Sequence, residues 1–228
     1  MTAPLLRPEP QPPAGPPAFE RILVATDGLP ASGPALAWAR ELGREARVWV
    51  LHVARADGPL DLTKATARRV VEDARDLVGA SRSDALVGFG DPATEIVKLA
   101  EDVRADVVIL GGAGALGNVA DAVRSRARTS VLLARAAPEA PGSVLVAIDG
   151  SLGATRAAGV AAQIAARRGW SLTLLSVLPP DASIPPLRVT GQLVEAFIAH
   201  SESSRCSATP TRPPTSVPLM RIYWRSRP

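Results

Sequence analysis

Cysteine is almost missing from this chain. Cys206 is the only one in 228 residues, so no internal disulfide can form. Histidine is nearly as scarce, with His52 and His200 alone. No HExxH, CxxC or clustered His/Cys spacing occurs, which argues against a protein-built zinc site. Neither a GxSxG elbow nor a GxxxxGK[ST] phosphate loop is present. Aromatic residues make up only 4% of the chain, so Val, Leu, Ile and Ala must build the core. No run approaches the ~18 apolar residues that would cross a bilayer. The amino terminus shows no charged-then-apolar leader pattern. A cytoplasmic protein with no membrane partner is the expectation.

A basic surplus is also missing where it would matter, despite a pI of about 10.1. Residues 201–228 carry Arg205, Arg212, Arg221, Arg225 and Arg227 against Glu202, a net of +4. The whole chain is also +4, so residues 1–200 are formally neutral. That part has no excess charge to draw nucleic acid from a distance.

What the chain does have is a repeat. Residues 21–28 read RILVATDG and residues 143–150 read SVLVAIDG. Each leads into an alanine-rich helical stretch and a second apolar strand. Asp27 falls on Asp149, Gly28 on Gly150, Leu51 on Leu175 and Val53 on Val177, with a two-residue insertion before the second strand. Agreement across strand, turn, helix and strand implies two βαβ-type lobes, each presenting an Asp at the end of its first strand.

The two ends of the chain differ from its middle. Residues 1–18 hold seven of the 22 prolines and read as a polyproline-like leader. After His200, periodicity gives way to Ser, Pro and Arg, a composition that buries too little apolar surface to order itself. That tail reads either as a basic interaction arm or as a segment without evolved structure, as a shifted reading frame near codon 200 would leave. Cys206 lies in it and is taken as incidental. The divisions are a leader over 1–19, a first domain over 20–136, a partial repeat over 142–200 and an unstructured basic tail over 201–228.

Within the first domain the elements alternate. Strands are expected at Arg21–Thr26, Val48–Val53, Asp84–Gly88, Asp106–Leu110 and Ser130–Ala134. Helices are expected at 33–45, capped by Ser32, at Leu62–Val78, after an Asp91 cap, and near Asn118–Ser125. Ala67, Val70, Val71, Ala74, Leu77 and Val78 form the apolar face of the second helix. Glu95, Glu101 and Asp102 read as solvent-facing charge, and His52 as a packed, hydrogen-bonded residue. Strict alternation implies a five-stranded parallel sheet with helices on both faces, plus a partial second copy. In such sheets ligands bind beyond the carboxyl ends of the strands, at a topological switch point. Asp27 and Gly111 both fall at expected strand ends.

These residues resemble the universal stress protein family. The matching motifs are ILVATDG at the first strand, LHV at the second, GDPATEIVKLAEDVRADVVILG over the third helix and fourth strand, and GNVADAVRSRARTSVLLAR at the end. The resemblance covers residues 20–135 fully and 143–178 as a second, partial copy. It implies an adenine-nucleotide α-hydrolase-like fold, a stress-response role without catalysis, and an adenosine nucleotide, ATP or AMP, as ligand. By position, the contacts it implies are Ala25, Thr26 and Asp27 on the first strand, Val53 beside the base, and Gly111, Gly114, Gly117, Asn118 and Val119 at the phosphates. It also implies a homodimer, or pairing of the two repeats, and a protein partner it does not name.

The chain departs from the family's phosphate motif. Only Ala115 and Leu116 separate Gly114 from Gly117, where the motif has nine residues, and Asn118 replaces the usual hydroxyl residue. An alignment that keeps the nine-residue spacing puts Arg124-Ser125 last, but it loses the third glycine. Each lost charge-assisted hydrogen bond is worth roughly 1.5–3 kcal/mol, so a shortened loop weakens triphosphate binding. An interaction module that has lost ATP binding is the alternative. A hydrolase reading lacks any visible activating residue set. The second copy has a half-site at Asp149-Gly150-Ser151, with a further helix expected at Arg188–His200, and marginal order is expected there.

Overall fold

The structure, a computed structural model, describes residues 19–54, 60–79, 81–112, 118–138, 142–148, 151–175 and 220–223. The leader, most of the tail, the Arg188–His200 helix and Asp149-Gly150 lie outside them.

Five parallel strands form the main sheet: β1 Arg21–Ala25, β2 Arg47–Ala54, β3 Ser83–Phe89, β4 Val107–Gly111 and β5 Ser130–Ala134. Between them run α1 Gly33–Leu42, α2 Leu60–Val78, α3 Pro92–Asp102 and α4 Asn118–Arg126. The spatial order is β3-β2-β1-β4-β5, so the chain winds outward from β1 and then reverses to its other side. The switch point lies between β1 and β4.

Both faces of the sheet are covered because its strands are apolar on both sides. Ile22 and Val24 pack with α1 and α2 through Ala35, Leu36, Ala39, Val71 and Val78. Leu23 points the other way, into a cluster with Ile96, Ala100, Ala120 and Val123 of α3 and α4. Each fully buried aliphatic side chain contributes ~1.5–3 kcal/mol.

Two local expectations need correction. Leu77 does not join the α2 core face but is 62% exposed. The buried stripe is Ala67, Val71, Ala74 and Val78, spaced four, three and four residues apart, and Leu77 falls beside it. Nor does Ser32 cap α1. A 3₁₀ turn at Pro30–Ser32 precedes the helix and takes Ser32 into helical geometry with its hydroxyl buried. Asp91 does cap α3, accepting from the Thr94 amide at 2.9 Å.

The repeat forms a second, two-stranded parallel sheet from β6 Ser143–Ala147 and β7 Ser171–Leu175, joined by α5 Leu152–Arg168. It packs against the first domain around Trp38 and Trp170, whose rings meet edge to face with centroids 6.0 Å apart. Trp38 Nε1 donates to the Ala136 carbonyl at 2.9 Å, and Arg168 pairs with Glu41 at 2.6 Å.

One strand comes from the segment expected to be unstructured. Met220–Tyr223 forms β8, which pairs antiparallel with β5 and makes a sixth strand at that edge. Within Met-Arg-Ile-Tyr, Ile222 and Tyr223 are adjacent β-formers in an otherwise Ser/Pro/Arg stretch.

Candidate functional site

The strand register lines up the candidate residues along one rim. Ala25 pairs with Leu51 on β2 and with Leu110 on β4. Asp27, Val53 and Gly112 each lie two residues past that row. The expected convergence of Asp27 and the start of the glycine segment at one edge is therefore what the sheet produces.

Thr26 anchors the turn that follows β1. Its amide continues the ladder to the Leu51 carbonyl at 2.9 Å, and its own carbonyl meets His52 Nδ1 at 2.9 Å. Its buried hydroxyl lies 2.8 Å from Ser32 Oγ and accepts from the Gly28 amide at 3.1 Å. Ser32 Oγ donates its single hydrogen to the Leu29 carbonyl at 2.8 Å. Thr26 must then be the donor in the hydroxyl pair, which fixes the direction of the whole relay. This pair carries no phosphate-motif signature. The only sequence cue for it was a polar residue at each end of a Gly-Leu-Pro turn.

Asp27 is exposed above that turn. One carboxylate oxygen, Oδ1, accepts from the Leu29 amide at 2.9 Å, an Asx-type contact that orients the side chain. The other oxygen has no hydrogen bond among the described residues. Gly28 takes φ 77°, and a Cβ there would lie 2.9 Å from Val70 Cγ1 on α2.

Gly111 closes the floor. A Cβ at this position would lie 2.6 Å from the Ala31 carbonyl oxygen and 2.7 Å from Ser32 Cα. The end of β4 thus presses directly on the turn that starts α1, and only glycine fits. A Cβ on Gly112 would meet nothing within 4 Å. Residues 113–117, including Gly114 and Gly117, lie outside the described residues. Asn118 is exposed as the first residue of α4, with Val119 half-buried behind it. Val53 is half-buried at the end of β2, level with Gly88 on β3. Ala25 is half-buried beneath it all.

No group of three or more His, Cys, Asp or Glu residues among those described can hold a metal ion. No helix among them is long and apolar enough to cross a membrane.

The fold and rim define a class: a doubly wound parallel α/β domain whose strand order reverses between β1 and β4. Comparison with known proteins narrows it. The model of the universal stress protein family matches residues 18–135 and again 142–216, and the chain belongs to that family. No curated protein is matched. Among solved structures, a universal stress protein from Archaeoglobus fulgidus DSM 4304 is 22% identical, with 78% of this chain and 74% of that one covered and a TM-score of 0.64. A universal stress protein in complex with cAMP is 24% identical, covering 50% of this chain and 95% of its own, with a TM-score of 0.45. One from Archaeoglobus fulgidus in complex with dAMP is 22% identical, covering 52% and 99%, with a TM-score of 0.46.

Proposed function

We propose that the first domain is a non-catalytic sensor that binds an adenosine nucleotide in the crevice between the ends of β1 and β4. The observation that carries this reading is the paired row Ala25, Leu51 and Leu110, with Asp27, Val53 and Gly112 each two residues further along the chain. Asp27 holds its carboxylate toward the crevice as an acceptor for a ribose hydroxyl or an adenine amine. Val53 borders the base, with Ala25 and Thr26 beneath. The family resemblance assigns Gly111, Gly114, Gly117, Asn118 and Val119 to the phosphate end, of which Gly114 and Gly117 lie outside the described residues. There, the positive pole at the start of α4 favours an anion. The mononucleotide AMP suits the site better than ATP, because the two-residue gap between Gly114 and Gly117 leaves few amides to wrap a triphosphate. Binding would act by stabilising one packing of the domain over another, which requires a difference in affinity between the two.

The test is calorimetric titration with ATP, ADP and AMP, with cAMP and dAMP as competitors. Binding is expected for AMP, weakened at least about tenfold in Asp27→Ala, equivalent to roughly 1.4 kcal/mol. Binding that survives Asp27→Ala unchanged overturns the assignment of that residue. Phosphate release that depends on Asp27 overturns the non-catalytic reading.

The same short gap supports a second reading, an interaction module of this fold that no longer binds nucleotide. Absence of heat or thermal shift with every adenosine compound selects it.

A further inference from the structure

The turn that carries Asp27 has little packing of its own. Asp27 and Gly28 are exposed, and Leu29 is 61% exposed. What holds the turn is a pair of hydroxyls beneath it, on Thr26 and Ser32, both residues only 6% exposed. They grip it on either side of one peptide group. The Gly28 amide donates to Thr26 Oγ1 at 3.1 Å. The Leu29 carbonyl accepts from Ser32 Oγ at 2.8 Å and from the Ser32 amide at 3.0 Å. Between those two points lies the Leu29 amide, the group that holds Asp27 Oδ1 at 2.9 Å. The hydroxyls are joined to each other at 2.8 Å. Their supports belong to the sheet. Thr26 is tied to β2 through the Leu51 carbonyl and His52 Nδ1, and Ser32 packs against Gly111 at the end of β4. A serine entering a helix ordinarily turns its oxygen to the helix amides, but Ser32 makes no such bond to α1. Its hydroxyl points back into the turn instead.

We propose that Ser32 is a positioning residue of the nucleotide site. Its hydroxyl, acting through Thr26 and the Leu29 carbonyl, fixes the direction in which the Asp27 carboxylate meets a ligand. With that hydroxyl engaged by Thr26 and Leu29, Ser32 reaches a ligand only through Asp27. The role rests on the nucleotide site proposed above, but its first half, the setting of the bond between Leu29 and Asp27, is measurable without ligand.

The experiment compares the full chain with Ser32→Ala, Asp27→Ala and the double variant, at a temperature where each is folded. Ser130→Ala is the control, because the Ser130 hydroxyl is buried with no hydrogen-bond partner among the described residues. Without ligand, hydrogen exchange at the Leu29 amide is expected to quicken at least about fivefold in Ser32→Ala and to stay unchanged in Ser130→Ala. With AMP, calorimetry is expected to show about tenfold weaker binding in Ser32→Ala. The same change made in Asp27→Ala should cost less than about a further twofold. A hydroxyl that serves folding alone would lower the melting temperature and move neither quantity, and that result overturns the proposal. So does a Ser32 effect of equal size with and without Asp27. Where binding is too weak to measure in a variant, Leu29 exchange alone decides whether Ser32 sets Asp27. A parent that binds no adenosine compound sinks the nucleotide site instead, and leaves that exchange result standing. Should Ser32→Ala not fold, Thr26→Val cuts the same relay at its other end and is expected to quicken Leu29 exchange likewise. Unchanged exchange there overturns the proposal.

Discussion

β1 and β6 begin with nearly the same peptide and end in opposite surroundings. In β1, RILVA, the central Leu23 is 0% exposed, whereas its counterpart Leu145 in β6, SVLVA, is 56% exposed. The difference is not local. Leu23 points toward α3 and α4, and the second unit has no described helix on that side. α5 covers Val144 and Val146 on one face of β6, and Leu145 and Leu175 stay bare on the other. An apolar strand specifies that it wants two covered faces. Whether it gets them depends on elements that arrive later in the chain.

The two units also begin and end their helices differently. Ser151 caps α5 by accepting from the Ala154 amide at 3.1 Å, whereas α1 starts through the Pro30–Ser32 turn that packs on Gly111. The unit with the candidate site gave up a cap and gained a crowded floor. At their far ends, α5 stops on Gly169 in the left-handed conformation, while α3 is followed by Arg104 at φ 52°, the only non-glycine residue so placed among those described.

Substitutions can sharpen or break this comparison. The largest effect is expected for Leu23→Ala, which should cost about 2–5 kcal/mol in urea-induced unfolding through lost burial and a residual cavity. A cost as small as that of Leu145→Ala would mean the first sheet is not packed on both sides. Gly111→Ala comes next. Forcing a methyl against the Ala31 carbonyl should cost about 1–3 kcal/mol and shift the amide resonances of residues 28–33. Unchanged spectra would detach β4 from the α1 turn. Arg104→Gly should raise stability by about 1 kcal/mol, seen as a higher melting temperature, because glycine relieves the left-handed backbone. Smallest of all is Leu145→Ala, expected within about 0.5 kcal/mol of the parent in thermal unfolding.

Much of the fold was legible from residues. The alternation of apolar runs with helical stripes announced parallel strands covered on both faces, and β5 runs over the bounds its sequence suggests. Asp27 and Gly111 were readable as strand ends because Asp-Gly and Gly-Gly punctuate apolar runs. The order β3-β2-β1-β4-β5 was not readable from spacing, since alternation fixes direction but not neighbours. The exposure of Leu77 was hidden because a helix of this amphipathicity tolerates an apolar residue one place off its stripe. The Thr26–Ser32 relay was hidden because Ser before a helical pattern signals a cap far more often than a buried hydroxyl pair. β8 was hidden by its setting, as a four-residue strand with two β-formers, Ile222 and Tyr223, in a polar tail acquires meaning only from the strand edge it meets.

Gly111 and Gly112 sit side by side, yet their surroundings constrain them differently. The first is shut to every other side chain by the backbone pressed against it. The second has free space around it and can drift. Among descendants of this chain, the first should persist as a fixed point while its neighbour varies, even where the ligand has changed.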